Sequence, residues 1–393
     1  MIKFDEIHLL AGSKKITRIN DKILSQLRID FIQDLVKELS RDPKSKKFVQ
    51  IFFLMKWLSN KKINKLLIKY KSEKFRFGRG IVFHVCPSNM PLNFFYSFIF
   101  GFLSGNSNIV KVSSKKYQEE IIVINALKKV FFKKKYNVFK KTNLFVKYNN
   151  QKKINDYYSN ICDIRIVWGG DETINKIRES FISPKSYDVT FPDRYSFSII
   201  NLNFLKNKSR KYLLKIANNF FYDSYTLNQN ACNSPHIVFW LGKEKKIIDV
   251  FWNLLSSIVE QNNFLDYKPI LEKFDFILQK INQLNIKNII KYKNNIYVAK
   301  NFSSKRLENI RGINGIFFQK EIVHLSQIQN YVDKKCQTIS YIGFKKKDFV
   351  AMLDHKHFEG IDRIVPVGKS LEISFDWDGY DLIRTLSRTI TIE

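Results

Sequence analysis

The chain has 393 residues, 45% of them hydrophobic, and carries 67 Lys and Arg against 36 Asp and Glu, a formal net charge of +31. That length and apolar fraction suit two or three globular domains with substantial cores, and no stretch reaches the ~18 uninterrupted apolar residues of a membrane-spanning helix. The lysines run along the whole chain without zinc-finger spacing or a concentrated basic helix, so nucleic acid is not the expected partner; steering of polyanionic small molecules is the milder consequence.

Met1 to Glu6 shows no basic region followed by an apolar run and a cleavage site, and Cys86, Cys162, Cys232 and Cys336 form no disulfide framework. Both point to a reducing cytoplasm. Residues 1–70 read as amphipathic helices: Lys22 to Leu39 has apolar residues near helical spacing, and Asp42-Pro43 breaks the pattern. Gly80 to Val85 reads as a buried strand. It is followed by Cys86-Pro87-Ser88-Asn89-Met90-Pro91-Leu92, an apolar helix from Asn93 to Leu103, and a strand at Asn108 to Val112. This unit sets polar residues at a strand's carboxyl end, where open α/β sheets place ligands.

A second unit follows, with a strand at Ile161 to Trp168, the turn Gly169-Gly170, and a helix from Asp171 to Ser180 whose amino end suits a phosphate. The G-x-G-x-x-G fingerprint is absent. Farther on, Cys232 sits in Leu227-Asn228-Gln229-Asn230-Ala231-Cys232-Asn233-Ser234-Pro235-His236, with no cysteine or metal ligand at bonding spacing. Short polar neighbours leave room for an acyl group to reach a thiolate, which makes Cys232 the candidate nucleophile; a small buried hydrophobe is the alternative. His236 is read as a structural residue or a tuner of that thiol. Gln279 to Asn295 is read as a variable insertion. His355 and His357 lack companions at ligand spacing, so no metal site is expected.

Pro87-Ser88-Asn89 with Lys111, Gly169-Gly170 after a strand, and Asn230-Ala231-Cys232 come in the order found in the aldehyde dehydrogenase superfamily. Gly360-Ile361-Asp362-Arg363-Ile364-Val365-Pro366-Val367-Gly368 and Trp377-Asp378-Gly379-Tyr380-Asp381 resemble the carboxyl-terminal signature of its LuxC-type acyl-CoA reductases. The similarity runs from about Lys71 to the end. It implies an α/β, aldehyde-dehydrogenase-like fold with a doubly wound cofactor domain and a smaller α/β catalytic domain. The expected organisation is a helical segment at 1–70, an NADP-binding domain at 71–215, a catalytic domain at 216–365 presenting Cys232, and a return segment at 366–393.

The resemblance also implies the chemistry: NADPH-dependent reduction of an acyl-CoA or acyl-protein thioester to an aldehyde. Cys232 would become S-acylated, Asn89 would join a backbone N–H in an oxyanion hole, and Pro87, Ser88, Lys111, Gly169, Gly170 and Gln337 would meet the cofactor. An acyl-transferring synthetase and a homo-oligomer belong to the same expectation. Hydrolytic superfamily members carry a glutamate about thirty residues before the cysteine; Val189 to Ser196 has none, although Asp193 lies there. Its loss favours reduction over hydrolysis. Aldehyde oxidation, to acid or to acyl-CoA, stays the alternative on the same fold.

Overall fold

Ile81–Val85 is buried at all five positions, as befits a strand covered on both faces, and it forms the centre of the first of two large sheets. The structure is a computed structural model and describes residues 6–88, 90–149, 151–262, 267–303, 307–355 and 358–393. The chain divides into two units, Met1–Pro192 with Ile373–Glu393, and Asp193–Glu372.

In the first unit the strands are β1 (His8–Gly12), β2 (Arg76–Gly78), β3 (Ile81–Val85), β4 (Ser107–Lys111), β5 (Asn143–Lys147), β6 (Ile164–Trp168) and β7 (Tyr187–Phe191). The sheet order is β1-β5-β4-β3-β6-β7, parallel from β5 through β7, with β1 antiparallel on the β5 edge. The chain starts at β3 and winds outward first one way and then the other. The carboxyl ends of β3 and β6 therefore form a topological switch point.

The amino-terminal region departs from the all-helical expectation. His8–Gly12 is a strand, and the long helix spans Gln26–Arg41 rather than starting at Lys22. Lys22 and Ile23 instead pair with the backbone of Phe77 and Arg76, and Leu24 takes a left-handed φ of 52° before the helix begins. The helix Asn93–Leu103 is buried almost all round, and Phe31 of the long helix meets its Phe102 at 5.0 Å between ring centroids. The buried Arg28 guanidinium donates to Phe102 O at 2.7 Å, a cation at a helix carboxyl end. The terminal segment adds the short strands β15 (Asp376–Trp377), β16 (Tyr380–Asp381) and β17 (Ser387–Thr389). β17 pairs with β2, and Leu382, Ile383 and Leu386 enter the core.

The second unit holds β8 (Tyr195–Asn201), β9 (Pro235–Leu241), β10 (Asn288–Tyr292), β11 (Ile296–Lys300), β12 (Ile316–Ile322), β13 (Cys336–Ile342) and β14 (Arg363–Pro366). Their order is β10-β11-β12-β9-β8-β13-β14, with only β10 antiparallel. From β8 the chain steps out to β9, passes to the far edge at β10, winds back through β11 to β12 beside β9, and then crosses to β13 and β14 on the other side of β8. On one face the helices Arg210–Tyr225 and Lys245–Gln261 build a core around Trp240 and Trp252, whose indole N–H groups both donate to the buried Gln319 Oε1, at 3.1 and 2.8 Å. The unit begins at Asp193, not at 216, because β8 pairs with β9 and β13 and so draws residues 195–201 into this sheet.

Candidate active site

Cys232 lies on the loop between the helix Arg210–Tyr225 and β9, and its residue is partly exposed. Two consecutive residues, Asn228 and Gln229, take left-handed φ values of 49° and 58° and turn the chain out of the helix. The Gln229 side chain then clamps the segment before β12, donating to Ile316 O at 3.1 Å and accepting from Gly315 N–H at 2.8 Å. Beyond the cysteine, Asn233 donates to Ser370 O at 2.6 Å. The Ser196 hydroxyl donates to Cys232 O at 2.7 Å and accepts from Thr338 N–H at 3.1 Å. These bonds fix the backbone that carries the thiol at the amino ends of β8, β9 and β13.

The thiol itself lies 3.9 Å from Asp193 Oδ1. That same oxygen accepts from Arg311 Nη1 at 2.6 Å, and Arg311 Nη2 donates to Arg194 O at 3.1 Å. His236 is buried, its Nδ1 2.9 Å from Gly312 O. Burial, with the Arg311 charge nearby, pushes it down to about 4. The imidazole is therefore neutral at physiological pH, with Nδ1–H donated to the carbonyl.

The first unit gathers Pro87, Ser88, Lys111, Gly169 and Gly170 at the carboxyl ends of β3, β4 and β6. Ser88 O accepts from the Tyr117 hydroxyl at 2.7 Å. Lys111, the last residue of β4, is 8% exposed with its ammonium 4.6 Å from the Tyr148 ring centroid, and burial pushes its pKa down to about 8. A Cβ on Gly170 would meet no protein atom within 4 Å, so the start of the helix Asp171–Arg178 opens onto free space. Lys111 as a donor to ribose or phosphate, and this open helix end, fit a nucleotide. Asp171 and Glu172 in the first helical turn weigh against phosphate directly at that end.

Asn89 lies outside the described residues, as do His357 and the side chain of His355; among the described residues no group of three or more His, Cys, Asp or Glu could hold a metal. Gln337 is in the second unit, buried at the start of β13 beside Thr338, whose N–H anchors Ser196. The sequence reading missed Ser196 and Arg311. Arg311 stands 118 residues from Asp193, in Arg311-Gly312-Ile313-Asn314-Gly315, where only the paired glycines hint at a tight turn. A Cβ on Gly312 would lie 1.7 Å from Ile316 O, so glycine is required there.

The fold is that of the aldehyde dehydrogenases. A Staphylococcus aureus AldH in a substrate-bound state superposes with a TM-score of 0.61 at 11% identity, covering 94% of this chain and 89% of its own. A lactaldehyde dehydrogenase gives 0.62 at 10% identity, over 93% and 86%. A Thermus 1-pyrroline-5-carboxylate dehydrogenase with bound NAD gives 0.62 at 12%, over 92% and 80%. No curated protein matches in sequence. Residues 45–389 match the family described as Acyl-CoA reductase (LuxC), and the chain belongs to that family.

Proposed function

We propose that the chain reduces an acyl-CoA or acyl-protein thioester to an aldehyde with NADPH, through an S-acyl intermediate on Cys232. The observation that carries this reading is the partly exposed thiol on a backbone pinned by Gln229, Asn233 and Ser196. Nucleophilic catalysis needs that combination of access and fixed direction. A bound nicotinamide supplies the hydride that converts the acyl group into aldehyde. On the protein side, Cys232 Sγ attacks the thioester carbonyl and the donor thiol departs. Asn89 is assigned to the developing oxyanion, Lys111 to the adenosine side of the cofactor, and Pro87, Ser88, Gly169, Gly170 and Gln337 to its surroundings.

None of Cys86, Cys162, Cys232 and Cys336 is in a disulfide, which supports a reducing, cytoplasmic setting, and no helix among the described residues is long and apolar enough to cross a membrane. An acyl-transferring synthetase as donor and a homo-oligomer are part of the same proposal. Aldehyde oxidation is the second reading, favoured by the carboxylate of Asp193 so near the thiol.

Intact mass of the protein incubated with acyl-CoAs of several lengths, without reductant, tests the nucleophile and reads chain preference. One acyl group is expected on Cys232, stable until NADPH discharges it as aldehyde. Cys232→Ala is expected to abolish acylation and NADPH oxidation while cofactor affinity stays within a few fold. Labelling of Cys86, Cys162 or Cys336 would overturn the assignment, and rapid release of free acid would favour the second reading.

A further inference from the structure

Thioester exchange moves a proton as well as an acyl group. Cys232 must lose the hydrogen on Sγ, and the departing thiolate of the donor must gain one. Asp193 Oδ1 lies 3.9 Å from Sγ. Its carboxylate does not swing freely, since Arg311 Nη1 holds the same oxygen at 2.6 Å, and Arg311 is itself tied by Nη2 to Arg194 O at 3.1 Å. The Asp193 side chain is 45% exposed, so an incoming thioester can reach it. The neighbouring titratable group on β9, His236, is neutral and spends its Nδ1–H on Gly312 O.

We propose that Asp193, aimed by Arg311, carries the proton between the two sulfurs of the exchange at Cys232. This role rests on the thioester reading above. In the step, the Sγ–H bond breaks and its proton passes to an Asp193 oxygen while the Sγ–C bond to the acyl carbon forms. The carbon–sulfur bond to the donor then breaks, and the donor thiolate takes the proton back from Asp193. Nothing is oxidised or reduced, and Asp193 ends as the carboxylate it began. Arg311 is a positioning residue: it keeps the carboxylate turned to sulfur, and so away from the role of a base for water.

The test separates the thiol's intrinsic reactivity from proton transfer. In Asp193→Asn, removing a negative charge beside the thiol favours the thiolate, so alkylation of Cys232 by iodoacetamide at pH 7 is expected to be as fast as in the wild type or faster. Acylation by acyl-CoA, which needs the shuttle, is expected to fall about a hundredfold. Arg311→Met is expected to slow acylation about tenfold and to raise the share of free acid among the products; Arg311→Lys should restore most of both. This series carries the test should Asp193→Asn fail to fold. Wild-type acylation rates in Asp193→Asn, or parallel loss of alkylation and acylation in both variants, would overturn the role. A wild type that acyl-CoA never acylates would instead remove the thioester reading, and the proton role with it.

Discussion

Ser196 shows how one hydroxyl can serve two masters. It accepts from Thr338 N–H and donates to Cys232 O, tying β8, β13 and the nucleophile loop at a single oxygen. Ser196→Ala removes both bonds inside a buried site, and an unpaired buried donor or acceptor costs about 1–3 kcal/mol. We expect unfolding free energy in urea to drop by about that amount, and iodoacetamide labelling of Cys232 to change with it as the loop loosens. Unchanged stability would mean that water replaces the hydroxyl. Residues of this kind are poorly legible in a sequence. Cys232 stands out because its neighbours are small and polar, whereas Ser196 and Arg311 acquire meaning only when strands distant in sequence bring them to Cys232 and Asp193.

At the scale of elements, the helix Asn93–Leu103 and the strand, turn and helix around Gly169-Gly170 were legible because apolar runs bounded by turn residues leave few alternatives. β1 was not. His8-Leu9-Leu10-Ala11-Gly12 is too short to show alternation, and it is a strand because the edge of β5 offers it partners. The boundary at Pro192 was hidden for the same reason, as only the pairing of β8 says which sheet owns it. The long amino-terminal helix depends on Arg28, fully buried, bonded to Phe102 O and Asn106 O and paired with Asp21 Oδ2 at 3.0 Å. Arg28→Ala removes one donor from each of these acceptors, although Phe102 O keeps Gly105 N–H, Asn106 O keeps the Asn108 amide and the partly exposed Asp21 carboxylate keeps Ser25 and Lys22. The loss of these buried bonds and of the packed side chain costs about 1–3 kcal/mol. Urea unfolding of the variant should show a loss of that order; a loss below about 1 kcal/mol would mean that the helix docks through its apolar face alone.

For the whole molecule, acid stability follows from three buried groups. His84 and His236 are both pushed down to about 4 by burial, from 6.5. The unfolded chain takes up those protons first, so this stability is present above pH 6.5 and is lost as the pH falls toward 4. Asp223, whose carboxylate accepts from Gly368 and Ser370 N–H, works in the opposite sense. Burial raises it from 3.8 to about 6, so its contribution is present below 3.8 and fades as the pH rises through 6. Each shift corresponds to about 3 kcal/mol, and two groups outweigh one. The urea midpoint is expected to fall between pH 6.5 and 4.5, and to fall more steeply in Asp223→Asn. A flat or rising profile would contradict this balance.

The second unit is an insertion: the polypeptide leaves the first after Pro192, completes another domain, and returns at Ile373. During synthesis the ribosome therefore releases everything the inserted domain needs before it releases Leu382, Ile383 and Leu386, which the first core still lacks. The inserted domain can close while the outer one waits with an unfilled seam. A nascent chain stalled near residue 372 should expose that seam to protease or chaperone, and the last twenty-one residues act as the stitch that finishes the outer domain.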